Sequence, residues 1–182
     1  MEMNNGIYLI SPNYVIVNSE IGSDVEDKFV KRTILTSQDI DIQSVLGTQL
    51  YNLILDSAYA YVVSGTTIPE RIETLLDTYI IPTLLYSVLK DVIPYIYFKL
   101  TPKTVSVSSG EHSVPADYDL VLLLKKEYDD KYQHYMVRTV NYLIENDTIF
   151  PEYGDTNTIT GASQNMIPSS KNYNYGIAGI GN

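Results

Sequence analysis

The chain has 182 residues, 45% of them hydrophobic and 19% charged, enough for one domain with a sizeable core and too apolar for a chain disordered throughout. Its formal net charge is -10, which argues against free binding to nucleic acid, because that affinity comes from Lys and Arg neutralising phosphates. It has no cysteine, which excludes a disulfide framework, a thiolate metal site and a cysteine nucleophile.

The N-terminal stretch "MEMNNGIYLISPN" carries neither a basic region nor a long apolar one, so no signal peptide is expected. Residues 7–17, "IYLISPNYVIV", are apolar and β-prone around a Ser-Pro-Asn turn signal. They predict an extended N-terminal arm over residues 1–22.

A helical core is expected over residues 23–153. Ser23-Asp24-Val25-Glu26 reads as a capping box, and Val25, Phe29, Ile34, Ile40 and Val45 recur near helical spacing up to Gly47. Thr48 can cap a second helix that stops near Ser64-Gly65. Thr67-Ile68-Pro69-Glu70 reads as a second capping box. The third helix carries Ile72, Leu75, Leu76, Tyr79, Ile80, Leu84, Val88 and Val92 on a 3.6 period, with Pro82 predicting a kink or break and Pro94 recurring three turns later.

This apolar run invites a membrane reading. A spanning helix needs ~20 mostly apolar residues, and Lys90 and Asp91 fall in the middle at a penalty of roughly 2.5–3.5 kcal/mol each. A core helix is the expectation, and no membrane is expected as a partner.

The stretch "TPKTVSVSSGEHSVPA", residues 101–116, is β-branched and hydroxyl-rich. It predicts a projecting hairpin or loop turning at Ser109-Gly110. A last helix then runs from Asp117 to about Asn146, with Leu120, Leu124, Tyr128, Tyr132, Tyr135, Thr139 and Tyr142 or Leu143 in one stripe. Residues 154–182 are rich in Gly, Asn, Ser and Thr, end "NYNYGIAGIGN", and read as a tail that is flexible or ordered on a partner. The fold expected is mainly α: a four-to-five-helix bundle with an extended arm, a projecting hairpin and an extended tail.

Chemistry is sparse. His112 falls in the polar loop and His134 among tyrosines on the last helix, neither at metal-ligand spacing. Asp39 and Asp41 are two apart and point to different sides of a helix, while Asp24, Glu26 and Asp27 suit a helix N-terminus. The glycines of "GIAGIG" do not form a dinucleotide fingerprint. No catalytic, cofactor or metal site is expected. Asn146-Asp147-Thr148 matches a glycosylation sequon and reads as chance.

Tyrosine stands out, with 17 copies against three phenylalanines and no tryptophan. Its large area and polar tip suit surfaces that become covered by a partner, although it can also replace Phe in a core. The candidate partner contacts are Tyr8, Tyr14, Val105, Val107, His112, Tyr153, Tyr173 and Tyr175.

The order of features resembles the head–tail connector (adaptor, or head-completion) proteins of tailed bacteriophages, nearest to the portal-proximal ring proteins of crAss-like phages. The resemblance rests on "SVLGTQLYNLIL" (44–55), "LLDTYIIPTLLYSVLKDVIPYIYFKLT" (75–101), "KKEYDDKYQHYMVRTVNYLIEN" (125–146) and "FPEY" (150–153). It implies a non-enzymatic virion protein, made in the host bacterial cytoplasm and placed at the head–tail interface. It further implies a homo-oligomeric ring, most often twelve-fold, docked under the portal protein. The ring would carry a second ring or tail component, and DNA would pass through its channel without specific binding. The alternatives are a small cytoplasmic helical enzyme or regulator, or a peripheral adaptor of another assembly.

Overall fold

The computed structural model describes residues 7–20, 25, 27–100, 105–107 and 118–154. They form a mainly α bundle: α1 (Pro12–Val17), α2 (Asp27–Ser37), α3 (Gln43–Ser64), α4 (Glu70–Leu75), α5 (Ile81–Tyr97), α6 (Tyr118–Glu145) and α7 (Pro151–Gly154). Two π-turns, Gln38–Ile42 and Leu76–Ile80, join α2 to α3 and α4 to α5.

α5 is the central element and packs on α6, α2 and α1. Its partner α6 runs antiparallel to it: Tyr79 stacks on Tyr142, Thr83 meets Thr139, Tyr86 stacks on Tyr135, and Lys90 lies over Tyr132. Leu84, Val88, Leu89 and Val92 are fully or almost fully buried, joined by Ile34, Leu46, Leu50, Ile54 and Leu143. Each such side chain contributes roughly 1.5–3 kcal/mol relative to exposure, so this α5-centred cluster is the main driving force for the fold. The run Glu70–Ile96 is long and apolar enough to cross a membrane by length and composition alone, and 56% of its most apolar window is buried inside the bundle.

Two glycines set helix boundaries where the sequence places them. Gly47 has φ 74 and ψ 158, a conformation close to exclusive to glycine, and it breaks the path from the first π-turn into the main body of α3. Gly65 caps α3 in the left-handed region, its N–H bonding the carbonyls of Ala60 and Tyr61.

Several expectations are corrected. Residues 7–20 do not form an extended arm: Ser11 accepts a hydrogen bond from the Tyr14 N–H, Pro12 opens α1, and Ile10 and Val15 are buried in the core. N-capping and burial override the β-propensity of Tyr-Val-Ile-Val. The capping box at Thr67 does not form; Pro69 stands at the N-cap without a side-chain bond. Ile40, expected on the buried face, is 63% exposed, because the π-turn carries an extra residue and Ile42 takes the inward position. Pro82 lies two residues beyond the second π-turn, where the Ile81 N–H reaches back five residues to the Leu76 carbonyl. The wide turn absorbs the proline, so the helical run bends its hydrogen-bond pattern without breaking.

A projecting hairpin over 101–116 is not what the described residues show. They show a three-pair antiparallel ladder, β1 (Phe98–Leu100) with β2 (Val105–Val107), pairing Phe98 with Val107 and Leu100 with Val105. The first strand ends at Leu100 and the second begins at Val105, while Ser109-Gly110, the expected turn, lies outside the described residues. The Ser23–Glu26 box, apart from Val25, lies outside the described residues, as do the rest of 101–116 and the tail after Gly154.

Candidate functional site

The charged groups placed inside the bundle are tied to one another. The first π-turn directs Asp39 and Asp41 to different partners. Asp39 accepts from the Tyr51 phenol at 2.8 Å. Asp41 sits 3.0 Å from the Lys90 ammonium and also accepts from the Ser87 hydroxyl. The Lys90 and Asp41 side chains are only 15% and 17% exposed, so the pair is nearly dry. Asp91 lies 3.7 Å from the same ammonium. Burial pushes the Asp91 carboxyl above the ordinary carboxylate range, with Lys90 opposing that shift and Asp41 adding to it. Lys90 is thus shared by two carboxylates and capped by the Tyr132 ring at 4.8 Å. The apolar run of α5 contained the clue: a Lys-Asp pair inside a core helix must find partners.

Three further clamps fix the ends of the fold. The Gln38 side chain accepts from the Leu9 N–H at 2.8 Å and donates to the Ile7 carbonyl at 3.0 Å, holding the N-terminal segment by its backbone. The Tyr128 phenol donates to Glu20 at 2.6 Å. That bond holds the Glu20 carboxyl below its usual range, while burial first and the Glu20 bond second push the phenol up. At the other end, Arg71 donates to both Glu152 oxygens, at 2.7 and 3.0 Å, and to the Ile149 carbonyl at 2.7 Å. Arg71 accordingly lowers the Glu152 carboxyl. Apart from Lys90–Asp91, these contacts link residues at least twelve positions apart in the chain. Among the described residues no group of three or more His, Cys, Asp or Glu could hold a metal ion.

One shallow groove runs along the second half of α6, lined by Tyr79, Asp130, Gln133, His134, Val137, Arg138, Asn141, Tyr142 and Glu145. Its floor is the stacked pair Tyr79–Tyr142, with Arg138 5.1 Å from the Tyr79 ring. His134 is exposed at its edge, against Tyr135.

Large apolar side chains face outward at two helix ends. At the C-terminal end of α3, Tyr59, Tyr61, Val62 and Val63 are between 51 and 68% exposed. In the first two turns of α6, Tyr118, Leu120, Leu122, Leu123 and Leu124 are between 40 and 63% exposed. The helical stripe through Leu120 and Leu124 was expected to continue the buried face; it emerges from the bundle instead, and burial on α6 starts at Tyr128.

The candidate partner contacts divide. Tyr8 and Tyr14 are partly exposed on the N-terminal segment. Val105 and Val107 lie in β2. Tyr153 is corrected: it is 4% exposed and packed in the main core with Phe150, so it is not a surface contact. A tyrosine's polar tip signals tolerance of water and does not reveal burial. His112, Tyr173 and Tyr175 lie outside the described residues.

Fold and surfaces together define a helical-bundle protein whose interior charges hold the chain together and whose surplus apolar groups face out at helix ends. The chain belongs to DUF6712, a family of unknown function, whose model matches residues 42–163. No curated protein and no solved structure matches it.

Proposed function

We propose that this chain is a structural subunit of a tailed-phage virion, a head–tail connector that docks under the portal as a ring and carries the next tail component. The observation that carries the reading is the exposed apolar surface at the ends of α3 and α6. Contiguous apolar patches of this kind mark surfaces that a partner covers. The segments on which the connector resemblance rests fall mostly on the helices of the body: 44–55 in α3, 75–97 from the end of α4 through α5, 125–145 in α6 and 151–153 in α7. An acidic chain suits a conduit for DNA, because a wall of like charge does not grip the passing polymer.

The test is co-assembly. Expressed with its cognate portal and purified, the protein is expected to appear as a ring of about a dozen copies on one end of the portal, as closed symmetric oligomers require two mating faces per subunit. Particle images and native mass read the result. A stable monomer that ignores the portal overturns the proposal.

A further inference from the structure

We infer that the two exposed helix ends are the two halves of one head-to-tail contact between copies of this chain: the α3 tip of one subunit seats on the leucine-rich start of α6 in the next. This deepens the ring reading and rests on it.

The two surfaces cannot meet within one subunit. The α3 tip is followed at Gly65 by a short link to α4, and Arg71 in the first turn of α4 bonds Ile149 and Glu152. The tip therefore lies at the C-terminal end of α6. The leucines occupy the opposite end of the same helix. Leu124 and Glu145 are separated along α6 by roughly 30 Å at 1.5 Å per residue.

The surfaces also differ in kind. The tip, Ala58–Val63, is a helix end without a charged residue on any side, and a helix apolar all round is one that expects to be buried. The start of α6 exposes leucines on several sides, with Val121 alone turned toward the core. Two unlike faces on one chain make a heterologous contact, which closes into a ring or runs on as a filament.

Area and charge fit the same occupant. At ~100 Å² of exposed apolar surface per residue, the nine side chains amount to roughly 900 Å², close to the ~1,000 Å² that a specific interface must clear. Polar neighbours would supply the remainder. Exposed Asp56 precedes the tip and exposed Glu70 and Glu73 follow it across the short link, while Lys125 and Lys126 follow the leucines. That second border is mixed, since Asp119, Glu127 and Asp129 share it, but Glu127 is taken up by Lys131 at 2.7 Å. Leu122 shares a hollow with Lys90, Lys125 and Lys126 as well as Asp91 and Asp129, and Lys125 lines another with Arg32, so cations stand there for the acidic border to meet.

The absence of cysteine makes the test clean. Leu123→Cys in the full chain is labelled with a maleimide-benzophenone, mixed with isotope-labelled unsubstituted chain, and irradiated both alone and in the portal complex. The expected cross-links join Leu123 of one copy to residues 58–64 of another. A Val62→Glu copy is expected to lower their yield about tenfold, the effect of ~1.4 kcal/mol in the contact. Both positions are exposed, so folding is not at stake. Cross-links to residues 58–64 within the same copy overturn the inference. So do cross-links only to the chain's own residues 155–182, only to portal, or only between two copies of the α6 leucines. A portal-bound ring without the cross-link sinks this contact and leaves the ring reading standing; the cross-link without portal binding does the reverse.

Discussion

Replacing Lys90 by Met tests the interior polar seam most directly. The variant keeps the apolar stem and removes the ammonium that lies 3.0 Å from Asp41 and 3.7 Å from Asp91. Asp41 keeps the Ser87 hydroxyl but is left beside a second carboxylate, itself already disfavoured as an anion by burial. Removing one partner of a buried ion pair costs about 3–5 kcal/mol, and the 15–17% solvent access of these side chains brings the expectation to about 2–3 kcal/mol. For a chain of this length that corresponds to a fall in Tm of roughly 5–10 °C. Urea unfolding followed by far-UV circular dichroism measures it. Asp41→Asn should remove the same pairing while keeping an acceptor for Ser87, so the double variant should lose less than the sum, with a coupling of about 1–2 kcal/mol. A loss in K90M within about 0.5 kcal/mol of zero, the range of ordinary surface substitutions, would show that the pair is screened by water and that this account of α5 is wrong.

Gly47→Ala should lower stability by about 1–3 kcal/mol, because φ 74 with ψ 158 admits little but glycine; Gly65→Ala should lose only about 1 kcal/mol, since its Cβ would meet nothing within 4 Å and pays the left-handed strain alone. The same urea titration ranks them, and equal losses would contradict the difference in backbone geometry. Glu152→Gln should destabilise at pH 7 and progressively less on acidification: Arg71 depresses the folded carboxyl, so its contribution is present above the unfolded value of about 4.3 and is lost as pH falls through the folded one. Asp91→Asn should behave oppositely, neutral or stabilising at pH 7 with the advantage vanishing in acid, because burial raises that carboxyl and its ionised form opposes folding. Stability measured from pH 3 to pH 7 separates the two signs.

The sequence was most legible where local and tertiary forces agree. The 3.6-residue period of α5 and α6, and the glycines that need positive φ, appear where the pattern put them. It was least legible where a partner far along the chain decides. Residues 7–17 carry strand-forming side chains, yet Gln38 and the cavity filled by Ile10 and Val15 draw them into a capped turn of helix. Period alone could not foresee that a π-turn would put Ile42 inward in place of Ile40. A stripe shows which residues share a face but not what covers that face, which is why Leu120 and Leu124 looked like core and emerge outside it. The Asp41–Lys90 link joins residues 49 positions apart; the charge inside an apolar run announced that a partner was needed and did not say which.

The π-turn at Leu76–Ile80 has a consequence for how this chain tolerates insertion and deletion. Each residue in an α-helix turns the chain by about 100°, so removing a single residue from the wide turn would restore regular helix upstream and swing all of α5 by about that angle. Thr83, Ser87 and Lys90 would leave Thr139, Asp41 and Tyr132 together, and the buried leucines of α5 would turn toward water. A one-residue deletion there should therefore be far more damaging than removal of the exposed Thr67 from the link between α3 and α4. The length of this turn acts as a gear setting: it is one small count on which the alignment of every downstream contact of the central helix depends.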